Sequence, residues 1–101
     1  MLEAIFTKRF EKDVKLAIRR RKDIKKLKVI IGLLLNQEVL PVKYRDHYLI
    51  GNYNDRKECH IEADWLLIYL PKNKEIIFER TGSHSDLFLS LIHISEPTRP
   101  Y

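Results

Sequence analysis

Residues 57–82 read KECHIEADWLLIYLPKNKEIIFERTG, and the placement of apolar side chains within them decides the fold. The segment 57–62 alternates, with Cys59 and Ile61 on one side of a strand and His60 on the other. Residues 65–70, WLLIYL, form a continuous apolar run of strand length, the pattern of a central strand covered on both faces or nearly so. Residues 71–74 (PKNK) turn the chain, and 75–81 (EIIFERT) return as the third strand of a meander. Gly82 then permits a sharp change of direction into 84–88.

Upstream of this meander the period is about 3.6. Leu2, Ile5 and Phe6 suit a short first strand, and Thr7 can cap a helix in which Phe10, Val14, Ala17 and Ile18 form one narrow apolar stripe. Arg20, Arg21 and Lys22 end it. Asp23 caps a second helix with a broader stripe, Ile24, Leu27, Ile30, Ile31, Leu34 and Leu35, closing near Asn36. Residues 37–44, with Pro41, read as a crossing loop, and 51–55 (GNYND) as a turn. The expected class is therefore α+β, in the order β-α-α-β-β-β, with a helix hairpin on one face of a small, antiparallel-rich sheet.

The whole chain has 101 residues, 45% apolar and 33% charged, with three Gly and four Pro. That is one globular domain, with no room for a second catalytic one. No apolar stretch approaches the roughly 20 residues that cross a bilayer, the N-terminus MLEAIFTKRF lacks an apolar signal core, and the single Cys59 cannot form an internal disulfide. A reducing cytoplasm and no membrane partner are expected. Net charge is +5, but residues 8–28 hold eleven basic residues against Glu11, Asp13 and Asp23, so that window carries +8. Such a field favours polyanions or an acidic partner without conferring sequence specificity. Because the helices' apolar stripes face the sheet, the basic side chains are expected to point away from the strands bearing His60 and Arg80.

Residues 89–99, LSLIHISEPTR, need separate treatment. They resemble the in-frame translation of a transposase adapter used in sequencing libraries. The folded domain is accordingly placed at 1–88, and 89–101 is read as a non-native tail whose His93 carries no functional information.

Three histidines remain, each in a polar cluster at a strand end or beside a turn: His47 in RDH, His60 with Glu62 and Asp64 close by, and His84 after Arg80. A meander gathers the ends of neighbouring strands, so three imidazoles, a carboxylate and a guanidinium can converge. Imidazoles titrate near neutrality, as proton transfer requires, and a permanently charged Arg can hold a phosphate throughout a reaction. The set suits RNA cleavage. Zinc is the sharpest rival, but there is no C-x2-C pair and no H-E-x-x-H, and the adjacent Cys59 and His60 point to opposite faces. No metal and no cofactor are expected. The parity of Cys59 with Ile61 makes it a small buried hydrophobe and not a nucleophile. Trp65 and Phe88 fit either core packing or base stacking. Arg80 shares a strand face with Ile76 and Phe78, so it reaches the site only from the strand's end or beyond a bulge.

From about Phe10 to Phe88 the chain resembles the YafQ branch of the RelE/ParE toxin superfamily. The resemblance is carried by KDVKLAIRRRKDIKKLK, by YRDHYLIGNYNDRKECHIEADWLLIY and by FERTGSHSDLF. It implies a RelE-like fold and the toxin of a type II toxin–antitoxin pair, acting as a ribosome-dependent endoribonuclease on mRNA in the ribosomal A site. Its implied partners are the ribosome with its 16S rRNA and a DinJ/RelB-like antitoxin. The implied catalytic positions are His47, His60, Asp64, Arg80 and His84, with Trp65 and Phe88 binding substrate. The implied chemistry is attack by the RNA's own 2′-hydroxyl, with His and Asp in general acid–base roles and no metal. A non-catalytic RNA- or ribosome-binding module, or a gyrase inhibitor of the ParE type, is the alternative; neither needs three imidazoles and a carboxylate around one Arg.

Overall fold

The computed structural model describes residues 1–49 and 55–89, with the backbone alone at 88 and 89. The turn expected at 51–55 falls, except for Asp55, outside the described residues, as does the tail beyond Leu89. Strand β1 (Glu3–Phe6) leads into helices α1 (Lys8–Arg19) and α2 (Ile24–Leu35). A 3-10 turn (Val42–Tyr44) precedes β2 (His47–Tyr48), and β3 (Lys57–Glu62), β4 (Trp65–Pro71) and β5 (Glu75–Gly82) follow. A single π-helical turn (Ser85–Leu89) comes last among these.

Both helices begin where the sequence supplies caps. Thr7 accepts a hydrogen bond from the Phe10 amide at 3.0 Å, and Asp23 accepts one from the Lys25 amide at 3.0 Å. Their ends are less expected, because each closes in a Schellman motif without glycine. Arg21 (φ 62) and Gln37 (φ 59) adopt the left-handed conformation. The bonds Lys22 N–H to Ala17 O (2.9 Å) and Glu38 N–H to Leu33 O (2.9 Å) then satisfy the last carbonyls.

The five strands lie in the order β1-β5-β4-β3-β2, with β1 parallel to β5 and the other neighbours antiparallel. The meander of β3, β4 and β5 is as expected, and β4 is its central strand. Trp65, Leu67 and Tyr69 of β4 join Phe10, Ala17, Leu27, Ile30 and Leu34 in the core beneath the helices. Leu66 and Ile68 point the other way, against Leu87 and Leu49. The apolar run WLLIYL is therefore covered on both sides, each such side chain contributing about 1.5–3 kcal/mol of burial. The order β-α-α-β-β-β needs one correction, since β2 adds a strand where none was expected. A strand of two residues is too short to show a period of 2, and β2 exists because β3 offers it an edge.

Candidate active site

Strand register brings His47, Glu58 and His60 to one face. His47 stands opposite Glu58, Glu58 opposite Ile68, and His60 opposite Leu66. Paired residues share a face, so all three lie on the side away from the helices. His84 reaches the same place from beyond β5. The ring centroids are 6.3 Å apart for His47 and His60 and 5.8 Å for His60 and His84, which makes a row of three imidazoles.

Two of the three rings are oriented by an acceptor. His47 Nδ1 lies 2.6 Å from the Arg45 carbonyl, which can only accept, so Nδ1 carries a proton and Nε2 is turned toward Glu58. Arg45, at the end of the 3-10 turn, has φ 50, the left-handed cap conformation that Arg21 and Gln37 also adopt. Asp64, in the turn between β3 and β4, accepts from the backbone amide of His84 at 2.9 Å and from its Nδ1 at 2.7 Å. Those two bonds, the amide's first, hold the Asp64 carboxyl below the ordinary carboxylate range.

Glu58 was missed by the sequence reading. Its Oε1 lies 3.2 Å from His47 Nε2 and 3.6 Å from His60 Nε2, and its side chain is 7% exposed. A carboxylate so buried needs partners, and the two imidazoles, when protonated, are ion-pair partners for it. The available signal was parity: Glu58 and His60 share a face in the same alternation that buries Cys59 and Ile61.

The remaining expected residues fall elsewhere. A bulge resets the parity of Arg80, since Tyr69 pairs with Phe78 but Ile68 pairs with Arg80. Its guanidinium bonds Asp13 of α1, Nε to Oδ2 at 2.7 Å and Nη2 to Oδ1 at 3.2 Å, and the same Oδ2 accepts from the Thr81 amide at 3.1 Å. Arg80 is thus anchored to α1 at the strand's edge. Trp65 is corrected as a substrate-binding residue: it is 1% exposed, in the core beneath the helices, where no base can stack on it. Phe88 belongs to the π-helical turn, and its side chain lies outside the described residues. Cys59 is buried as expected, and burial pushes its thiol well above the usual range.

The turn that delivers His84 is built around Asp86. Asp86 Oδ2 accepts from the Ser83 amide at 3.0 Å while Ser83 Oγ accepts from the Asp86 amide at 3.1 Å, a reciprocal capping box. Arg20, which caps the end of α1, closes on the same carboxylate, Nη1 to Oδ2 at 2.7 Å. A Cβ at Gly82 would meet Asp86 Cβ at 3.0 Å and Oδ2 at 3.1 Å, so any larger residue there would have to push the Asp86 side chain back by some tenths of an ångström. The basic helices therefore do not point wholly away from the strands. Arg20 reaches Asp86, and Lys26 and Lys22 reach Glu62 at 2.9 and 3.7 Å; these carboxylates at the sheet's end draw them over.

The family model that describes a bacterial toxin of type II toxin–antitoxin systems, YafQ, matches residues 2–89. The chain belongs to the YafQ family. It is 45% identical over 84 residues to the mRNA interferase toxin YafQ of Escherichia coli K12, covering 82% of this chain and 91% of that protein. The fold agrees with the E. coli DinJ-YafQ complex at a TM-score of 0.82 and 43% identity, covering 87% of this chain and 99% of that one. A metal-bound toxin from Helicobacter pylori matches at 0.83 and 39%, covering 87% and 100%. In this YafQ-family chain no three His, Cys, Asp or Glu side chains among the described residues are grouped to hold an ion. As a type II toxin it has an antitoxin as partner. No helix among the described residues is long and apolar enough to cross a membrane.

The carboxylates around the His84 turn predict a pH dependence. Burial would raise Asp86, but the bond from Arg20 and those from Ser83 outweigh it and leave the group lowered; Lys26 above all lowers Glu62. A carboxyl lowered in the fold adds stability above its unfolded pKa of about 4 and loses it as pH falls through the folded value. Thermal stability should therefore decline from pH 5 to pH 3. Asp86→Asn should melt earlier at pH 7, by about 4–8 °C for each kcal/mol of the lost bonds, and show a flatter decline. An equal slope in the variant would remove Asp86 from this role.

Proposed function

We propose that this toxin is a cytoplasmic, metal-independent endoribonuclease that cleaves mRNA in the ribosomal A site, aided by 16S rRNA, and that the imidazole row is its active site. The observation that carries the reading is the row itself, with a carboxylate on each part of it: Glu58 between His47 and His60, Asp64 on His84. The name of the E. coli relative supports the activity, and its complex with DinJ supports a DinJ/RelB-like antitoxin for this chain.

The RNA supplies its own nucleophile. The 2′-hydroxyl attacks the adjacent phosphorus, a base removes its proton, and an acid protonates the departing 5′-oxygen, leaving a 2′,3′-cyclic phosphate. His47, His60 and His84 share the two proton-transfer roles, each worth typically 10²–10⁴-fold. Asp64 and Glu58 fix ring orientation, and Arg80, steadied by Asp13, stabilises the phosphorane as charge develops. Phe88 follows the His84 turn and is assigned to base stacking.

Cell-free translation with and without the chain, followed by primer extension on the mRNA, tests the reading. Breaks should appear in translated mRNA and be rare in the same RNA without ribosomes. EDTA, at magnesium sufficient to keep the ribosomes intact, should leave the rate unchanged. Equal cutting without ribosomes, or loss in chelator restored by zinc, would reject the ribosomal or the metal-free part respectively.

A further inference from the structure

Beside the imidazole row lies a cleft of about 560 Å³, and His60 belongs to both. Its other walls are Lys26, Lys43, Tyr44, Arg45 and the end of β3 from Ile61 to Ala63. Three of those side chains are cationic and one, Glu62, is anionic. Glu62 is already answered by Lys26 at 2.9 Å and Lys22 at 3.7 Å, so the cleft keeps its positive charge in Lys43 and Arg45. Both are exposed, and among the described residues neither forms an ion pair; Lys43 instead stands over the Tyr44 ring, 5.1 Å from its centroid.

The backbone ties these cations to the catalytic row. Lys43 and Tyr44 are the end of the 3-10 turn, Arg45 is its left-handed cap, and the carbonyl of Arg45 receives His47 Nδ1. The peptide that fixes the imidazole thus also fixes where the two cations stand. A single strand whose scissile phosphate sat at the row would pass His60 directly into the cleft. There it would meet two positive charges spaced along one turn and the edge of an aromatic ring, the elements of a single-strand track. Lys and Arg of this kind neutralise phosphates whatever the base.

We infer that the cleft bounded by Lys43, Tyr44 and Arg45 binds the phosphodiester backbone of the cleaved mRNA on one flank of the scissile bond. The inference rests on the imidazole row being the site of cleavage. Lys43 and Arg45 are binding residues in it, and the ligand is the messenger strand and not ribosomal RNA.

The test uses ribosomes programmed with a short defined mRNA, with single-turnover cleavage followed over a range of toxin concentrations. Lys43→Gln with Arg45→Gln should lower the rate per concentration about tenfold or more, mostly through a higher half-saturating concentration. The slope of its logarithm against log salt should fall by about 0.7 for each phosphate that the variant no longer neutralises. Lys72→Gln with Lys74→Gln, in the turn at the far end of β4, serves as the charge-matched control and should match the parent. A neutral methylphosphonate linkage placed at each flanking position in turn should weaken the parent at one of them and the double variant at none.

A folded double variant with parental half-saturation and salt slope would overturn the inference. So would weakening of the variant without any effect of the neutral linkages on the parent, which assigns the cations to ribosomal RNA, or loss of antitoxin binding alone. His84→Ala run alongside separates the two levels: if it still cleaves, the reading of the row has failed, and if it does not while the double variant is parental, only the cleft has.

Discussion

His84→Ala should lower mRNA cleavage by 10²–10⁴-fold, about 3–5 kcal/mol of barrier, while the melting temperature holds. The side chain is 55% exposed and its partner Asp64 64% exposed, so truncation removes little packing and leaves Asp64 with the amide of residue 84 and water. Surface changes of that kind shift stability within about 0.5 kcal/mol. His60→Ala cannot be interpreted so simply. His60 is 15% exposed and stands beside Glu58, at 7%, so its truncation removes packed side chain and lowers stability as well as activity. The informative measurement is cleavage in ribosome-programmed mRNA together with thermal denaturation of the same samples. Near-native cleavage by folded His84→Ala would take His84 out of the site; an early melt with proportional loss would make its role structural.

The contrast between those histidines shows what the sequence could and could not disclose. Period and parity gave both helices, the meander and the buried side of β3, because each depends on side chains two, three or four residues apart. The convergence of His47, His60 and His84 was legible only as strand ends meeting at a turn. Glu58 escaped because a buried carboxylate has the same sequence signature as a solvated one; only the register that sets it opposite His47 reveals its surroundings. Two-residue β2 escaped for want of length. Asp86 escaped because its partners, Arg20 and Ser83, are separated from one another by 63 positions yet meet on one carboxylate. Arg80 is the instructive intermediate: parity stated the obstacle and named a bulge as its remedy, and the structure has that bulge, but the tether to Asp13 lies 67 residues away.

Trp65→Ala should cost about 3–5 kcal/mol of stability, enough to leave a domain of this size partly unfolded at growth temperature. The ring is 1% exposed and packs in the core that the helices share with β3, β4 and β5. Its indole Nε1 is buried without a hydrogen-bond partner, so shape and apolar area, not a polar anchor, hold it there; the Lys22 ammonium stands 5.9 Å from the ring centroid. Trp65→Leu separates packing from stacking. Leucine keeps an apolar side chain in the core and removes the unpartnered N–H, so the variant should stay folded at low temperature with a reduced melting point. If Trp65 is core, its half-saturating concentration in ribosome-coupled cleavage should match the parent once corrected for folded fraction. If the indole stacks on a base, the change to leucine should forfeit about 1–3 kcal/mol of binding, a rise of roughly 5- to 150-fold. Such a rise at full folded fraction would require the helices to open and present the ring, and would overturn the packing role that burial assigns to it.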